Sequence, residues 1–161
     1  MLDGGIITLY REGEIVGSSH NLMTSAGINL ITDYLTTAQT TNVHKVLGGI
    51  IIGQQGAATV RTTNVLSYGT VSERYALTSS PQTTNPAGQV VITCQANIIA
   101  LANPTVTSIK NIGVIYGGGS VAQTGELLFG SVAEGDPNVD WLPVTRSPNT
   151  SFTVTYTITI G

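Results

Sequence analysis

The sequence predicts a mainly β protein, an antiparallel β-sandwich of the jelly-roll kind with one α-helix near residues 25–36. Three observations predict this class. Residues 88–100 and 152–160 alternate apolar and polar side chains, which is the period of a half-buried antiparallel strand. Glycine, proline and asparagine separate several shorter strand-like runs. Only one segment has helical spacing, whereas a parallel α/β fold needs helices between its strands.

Length and composition predict one domain that associates with other proteins. A domain of 161 residues buries about 70% of its unfolded surface, so residues 1–161 need no disulfide or metal to fold. Charged residues make up 9% of the sequence, far below the roughly 25% of ordinary globular proteins. Glycine, serine and threonine take their place. Such a surface loses less hydration free energy than a charged one when another protein covers it.

The first twenty residues are predicted to form an N-terminal arm and a hairpin. Two extended runs in residues 7–20 flank Glu12 and Gly13, and glycine supplies the positive φ that a tight hairpin turn needs. The opening residues MLDGGIITLY have no basic segment before an apolar run, so we expect no signal peptide. No apolar run in the sequence approaches the roughly 20 residues that span a bilayer.

One helix is predicted at about residues 25–36. Ile28, Ile31 and Leu35 have the spacing of one helical face. Thr24 or Ser25 can cap its start, because a hydroxyl oxygen there accepts a hydrogen bond from a free backbone N–H of the first turn. The polar run TTAQTTN ends the pattern.

Strands dominate the rest of the chain and bring the predicted total to eight. One face of residues 88–100 carries Val90, Ile92, Cys94, Ala96 and Ile98. The last strand alternates four threonines with Phe152, Val154, Tyr156, Ile158 and Ile160. Shorter strands are predicted at residues 45–53, 71–77, 108–116 and 126–132, and eight short strands are typical of a sandwich.

The stretch GGIIIGQQG, residues 48–56, resembles a phosphate-binding loop in spacing alone. Gly48 and Gly53 match its first two glycines, but Gln54 and Gln55 stand where a lysine and a hydroxyl must reach phosphate and magnesium. No helical pattern follows to direct an N-terminus at an anion. We therefore predict a buried strand that ends in a glycine turn.

Nucleic acid is excluded as a partner because the net charge is −3 and the six basic residues are scattered.

No catalytic pattern is found, and the chain is predicted not to be an enzyme. Cys94 lies on the apolar face of its strand, which predicts a buried structural thiol. His20 and His44 each lack a neighbouring ligand pair. Glu12 and Glu14 are two exposed hairpin acids without the unequal environments that separate the pKa values of a catalytic pair. No cofactor is expected.

An acidic stretch near residue 138 has part of a calcium-loop pattern. Asp136, Asn138 and Asp140 occupy the first, third and fifth positions of such a loop. Trp141 and Ser147 stand where the loop needs a glycine and a bidentate glutamate. An acidic surface loop is the favoured interpretation, with a non-standard calcium site as the alternative.

Several segments together resemble the small virion structural proteins of tailed bacteriophages. The first is NLMTSAGINLITDYL at residues 21–35, in which an asparagine and a short polar stretch precede a glycine that opens a helix. IIIGQQG at residues 50–56 is similar to their strand ending in a glycine turn, with one extra residue. IKNIGVIY at residues 109–116 is similar to a later strand, although Asn111 replaces its usual acid. A Gly-x-Leu-Leu-like run at residues 125–129 and the threonine-rich final strand complete the order, so the resemblance spans residues 20–160.

The resemblance implies a β-sandwich virion component, located in the virion after assembly in the host cytoplasm. The favoured function is a capsid cement or decoration protein that stabilises the shell by bridging capsomers. It would be a homo-oligomer, by preference a trimer, and would bind the major capsid protein or other virion proteins rather than a membrane. The alternative is a tail, baseplate or fibre-associated structural protein. A carbohydrate-binding β-sandwich module is a second alternative.

The predicted interface residues lie outside the predicted sandwich core. They belong to the N-terminal arm at residues 1–5, the loop 36–42 and the loop 133–148. An exposed tryptophan in a polar loop is a suitable interface anchor, although one folded back over its own core is an equal alternative. The named residues are Met1, Leu2, Asp3, Thr36, Thr37, Trp141 and Leu142.

Overall fold

The protein is mainly β, and its strands pair antiparallel. The computed structural model describes residues 5–29, 47–54, 71–79, 81–85, 88–116, 127–131 and 141–160. Within these ranges the strands are β1 (Ile6–Arg11), β2 (Glu14–Met23), β3 (Leu47–Gly53), β4 (Ser72–Ala76), β5 (Gln82–Thr84), β6 (Val90–Ile98), β7 (Ser108–Ile109), β8 (Asn111–Tyr116), β9 (Leu127–Ser131), β10 (Val144–Thr145) and β11 (Phe152–Ile160). Nine of them form one sheet in the order β4-β3-β8-β9-β2-β1-β11-β6-β5, and β10 pairs with β7.

The sheet curls, which brings the residues that follow β4 against β6. Leu77, directly after the edge strand β4, forms an antiparallel bridge with Ala96 of β6 near the opposite end. The Thr78 N–H also donates to the Gln95 carbonyl at 2.8 Å. The inner side of the curl encloses one apolar core, in which the rings of Phe129 and Tyr156 lie 5.3 Å apart. The curl follows from the twist of antiparallel strands and from the single face that each must bury.

The predicted hairpin is confirmed. β1 and β2 pair around a two-residue turn, in which Glu12 has φ 54° and Gly13 has φ 87°. Positive φ at both positions matches the twist of the strands on either side. The register shifts between Leu9 and Tyr10, so β2 carries one extra residue at a bulge.

The start of the predicted helix is confirmed at residues 25–29, and residues 30–36 lie outside the described ranges. Thr24 caps it, since the Gly27 N–H donates to Thr24 Oγ1 at 3.2 Å. The same hydroxyl donates to the carbonyls of Leu127 and Leu128 in β9, so the cap also fixes the helix to the sheet. Ile28, expected on the apolar face, is 36% exposed. Gly27 faces β9 instead, where a Cβ would overlap the Leu128 carbonyl.

Most strand predictions are confirmed, and three details differ. β6 and β11 alternate as predicted, and the strand predicted at residues 45–53 is observed as β3. The single strand predicted at 108–116 is wrong, because the chain changes partners at Lys110. β7 pairs with β10, whereas β8 pairs with β3 and β9. The short strands β5 and β10 were not predicted.

The outer side of the sheet is apolar at β3, β8 and β9. Ile50 and Ile52 point into the main core, so Ile51 between them points outward. Ile51, Ile115 and Leu127 form a second apolar cluster and are at most 7% exposed. These three residues, here named the covered face, are buried within the single chain.

Candidate interaction surface

The outer side of the sheet is polar at β1, β11 and β6. Directly opposed residues point to the same side of a sheet, and the register opposes Thr155 to Gln95 and Thr8, and Thr153 to Asn97. We name this surface the polar face; it consists of Thr8, Thr93, Gln95, Asn97, Thr153, Thr155 and Thr157. Strands β6 and β11 contain no charged residue in their sequences VVITCQANI and FTVTYTITI. The face therefore offers hydroxyls and amides without a fixed charge.

Partly exposed apolar side chains border the polar face on β1. Ile6, opposite Thr157, is 42% exposed, and Tyr10, opposite Thr153, is half-buried. The neutral surface thus combines a polar centre with an apolar margin. A partner can cover both kinds of side chain without removing a charged group from water.

Of the predicted interface residues, two lie in the described ranges. Trp141 is 53% exposed, and its N–H donates to the Ser18 carbonyl of β2 at 3.0 Å. Leu142 is partly buried and packs against the main core. The other five, Met1, Leu2, Asp3, Thr36 and Thr37, lie outside the described residues.

The interpretation of residues 133–148 as a loop outside the core is wrong for its second half. Val144 is 8% exposed and Arg146 only 2% exposed. Val144 reaches the core because β2 has a glycine opposite it: a Cβ at Gly17 would lie 2.6 Å from Val144 Cγ2. Trp141 therefore projects from a segment whose Val144 and Arg146 side chains are packed into the protein.

A buried ion pair lies where β4 meets this segment. Arg146 Nη1 lies 2.5 Å from Glu73 Oε2, and the arginine side chain is fully buried. Arg146 Nη2 donates to Tyr75 Oη at 3.2 Å and to the Ile99 carbonyl at 2.8 Å. Tyr75 Oη donates to Glu73 Oε2, and the Val106 N–H donates to Glu73 Oε1 at 2.9 Å. The cluster joins three segments that are distant in sequence.

The pKa values of this cluster follow from its contacts. Burial raises the pKa of Glu73, but the hydrogen bonds from Tyr75, the Val106 N–H and Arg146, with the arginine charge, outweigh burial and hold it below its usual 4.5. Burial, together with the hydrogen bond to Glu73, raises the pKa of Tyr75 to about 12. At neutral pH the cluster is a glutamate–arginine pair beside a neutral tyrosine.

Gln54, which stands where a phosphate loop would need lysine, has a structural contact. Its Oε1 accepts hydrogen bonds from the Thr107 N–H at 2.7 Å, from Thr107 Oγ1 at 3.1 Å and from the Ser108 N–H at 3.1 Å. The glutamine thus fixes the entry to β7 against the end of β3.

The remaining candidate residues do not converge on one site within the described ranges. Cys94 is buried as predicted, and burial raises its pKa to about 11. His20 is exposed on β2. Four candidates lie outside the described residues: His44, Asp136, Asn138 and Asp140. Over the ranges given above, no group of three histidine, cysteine or acidic side chains is placed to hold a metal ion, and no helix is long and apolar enough to cross a membrane.

Comparisons with known proteins give no relative from which a function could be transferred. No family model matches the chain, and neither the curated proteins nor the solved structures contain a significant match.

Proposed function

We propose that this chain is a structural protein of a tailed-bacteriophage virion, and specifically a capsid cement or decoration protein that bridges capsomers. The observation that carries the proposal is the polar face, an uncharged surface three strands wide. We also propose that the curled antiparallel sheet belongs to a β-sandwich of the jelly-roll kind. The proposal includes no catalytic step and no cofactor.

The chemistry of the polar face suits a permanent contact with another protein. Hydroxyl and amide groups exchange hydrogen bonds with water for hydrogen bonds with a partner at little net cost. Burying a charge would cost several kcal/mol unless the partner supplied a well-placed counter-ion. A neutral face can therefore bind a large neutral surface such as the major capsid protein, and salt should weaken the contact little.

The motif resemblance over residues 20–160 supports a virion location. A shell repeats the same seam between capsomers many times, so a protein bound across a seam buries area on several subunits at once. Linked contacts multiply modest affinities. A symmetric oligomer binds best at a position of matching symmetry, which favours a trimer at the local three-fold positions of the shell.

Copy number in purified virions tests the proposal. The intensity of this protein on a denaturing gel, relative to the major capsid protein, should correspond to hundreds of copies because the seams cover the whole shell. About a dozen copies or fewer would place the protein in the tail or baseplate, whose axis offers three- or six-fold sites. Its absence from washed virions would overturn the virion assignment.

A salt wash tests the chemistry separately from the location. Virions washed at high ionic strength should keep this protein, because screening weakens ion pairs and leaves neutral contacts in place. Release in moderate salt would leave the location standing but would contradict binding through the polar face.

A further inference from the structure

Residues 141–149, here named the strap, cross from β2 to the segment that follows β6. At one end the Trp141 N–H donates to the Ser18 carbonyl at 3.0 Å, and at the other the Asn149 N–H donates to the Leu101 carbonyl at 2.7 Å. Between them the strap pairs with the segment before Lys110: it forms the two-residue strand β10 with β7, and the Arg146 N–H donates to the Thr107 carbonyl at 2.9 Å. The nine-stranded sheet does not include the strap, so its ladder can persist without it.

Leu142 and Val144 of the strap pack against the main core, and both approach Gly17 of β2. Leu142 Cδ2 lies 3.4 Å and Val144 Cγ2 lies 2.6 Å from the position a Cβ would take at Gly17. Leu9 of β1 lies behind that position, at 3.8 Å. The closed strap thus covers the core at Gly17 with two side chains.

The side chain of Arg146 also attaches the strap to the rest of the protein. It is fully buried and binds Glu73, Tyr75 and the Ile99 carbonyl through its two terminal nitrogens. Arg146 Nε is buried without a hydrogen-bond partner. A buried ion pair with an unsatisfied donor contributes less to stability than an apolar contact of equal size, but loss of one partner is strongly destabilising. This arrangement makes the attachment conditional on the charge of Glu73.

We propose that the strap is a conformational switch, latched shut by the Arg146–Glu73 ion pair and released when the Glu73 carboxylate is neutralised. Without that charge, Arg146 is a buried cation whose remaining partners, the Tyr75 hydroxyl and the Ile99 carbonyl, are neutral. Hydrating the guanidinium then requires the strap to lift, because the arginine lies on the strap and the other groups do not. Opening uncovers Leu9 and Gly17 and frees Trp141.

Acid is the natural trigger. The titratable groups of the cluster are Glu73 and Tyr75 on β4 and Arg146 on the strap; residues 99–107 contribute the Ile99 carbonyl and the Val106 N–H, neither of which titrates. The pKa of Glu73 is lower in the folded protein than in the unfolded chain, where it is 4.5. The stability that the Glu73 carboxylate contributes is therefore complete above pH 4.5 and is lost as the pH falls through the pKa of the folded protein. The strap should therefore stay closed at neutral pH and open at a pH below about 4.5.

The single tryptophan makes the strap directly observable, since Trp141 is the only one in the chain. On acidification, Trp141 fluorescence anisotropy should fall while far-UV circular dichroism keeps the sheet signal. Glu73→Gln should show the low anisotropy already at neutral pH. The exposed acid Glu14 supplies a matched control, and Glu14→Gln should behave as the wild type.

A double variant separates the latch from general acid effects. Glu73→Leu combined with Arg146→Met removes both charges and keeps the apolar volume, so the strap should stay closed in acid. The proposal is overturned if fluorescence and circular dichroism change together in one transition, or if Glu73→Gln retains the closed signal. It is equally overturned if Glu73→Gln loses the sheet, or if the double variant opens in acid like the wild type.

Discussion

The outer side of one sheet has two regions of opposite character. At β3, β8 and β9 it is apolar, and Ile51, Ile115 and Leu127 are buried. At β1, β11 and β6 it is neutral and polar, with Thr153 and Thr155 in a row along β11. Both regions share the same inner core, so the difference lies only in what covers the outside.

The comparison separates stability from recognition. The covered face contributes to folding, because burying an apolar side chain of this size stabilises by about 1.5–3 kcal/mol. The polar face is partly exposed in the single chain, and its side chains gain little by folding. A protein that needed only solubility could carry charges there, as most surfaces do. Neutral polar chemistry is instead compatible with being covered by a partner.

The largest expected contrast is in thiol accessibility. Thr155→Cys should react with a thiol reagent at the rate of a free thiol. Ile51→Cys should react slower by a factor on the order of a thousand, because the reagent must await an opening that costs several kcal/mol. Cys94 adds little background, since it is buried and its pKa is raised to about 11. Equal rates for the two variants would abolish the distinction between the faces.

Exchange of residue types between the faces tests their energetic difference. Ile51→Thr should lower the free energy of unfolding by about 2–4 kcal/mol, since it removes buried methyl groups and buries a hydroxyl. Thr155→Val, the near-isosteric change on the polar face, should stay within about 0.5 kcal/mol of the wild type. Urea unfolding measures both. A large loss in Thr155→Val would mean that the polar face contributes to folding.

The helix start tests how tightly the chain packs on β9. Gly27→Ala should destabilise by about 1–3 kcal/mol through overpacking, because a Cβ would overlap the Leu128 carbonyl and lie 2.9 Å from Met23 Cγ. Helix propensity alone predicts the opposite sign, a gain of up to about 1 kcal/mol. Ser25→Ala, at an exposed position in the same turn, is the control. Stabilisation by Gly27→Ala would contradict the close approach.

The smallest effect is expected within the polar face itself. Thr153 Oγ1 lies 3.4 Å from Asn97 Oδ1 in an exposed pair. Thr153→Ala should therefore change the free energy of unfolding by no more than about 0.5 kcal/mol. A thermal melt in parallel with the wild type is sufficient, and a clear drop in Tm would mean that the threonine ladder is a structural network.

The elements that could be predicted are those in which local pattern and tertiary structure agree. β6 and β11 follow strict alternation, and Cys94 is buried on the side the alternation predicts. Glu12 and Gly13 predict their own turn because positive φ is a local requirement. Thr24, one of the two caps that the sequence predicts, is the residue that caps the helix.

The buried cluster could not be predicted, because its partners come together only in the tertiary structure. Arg146 and Glu73 are 73 positions apart, and neither has a neighbour in sequence that predicts the ion pair. Arg146 in a short polar segment is typical of a surface residue, although its full burial is observed. The only available signal was the scarcity of charge, which gives each charged residue a higher chance of a specific contact. The break at Lys110 could not be predicted because the sequences of β7 and β8 together have the pattern of one continuous strand.

The most direct test of the central claim is to place a charge on the polar face and measure incorporation into virions. Thr155→Lys puts an ammonium group at the centre of the face, and Thr105→Lys puts the same group on an exposed loop. Both proteins should fold, as judged by circular dichroism, and should be added to particles lacking this protein. We expect Thr105→Lys to bind at the wild-type copy number and Thr155→Lys to lose most of its binding. Equal incorporation of the two variants would contradict the claim that the polar face is the surface that the partner covers.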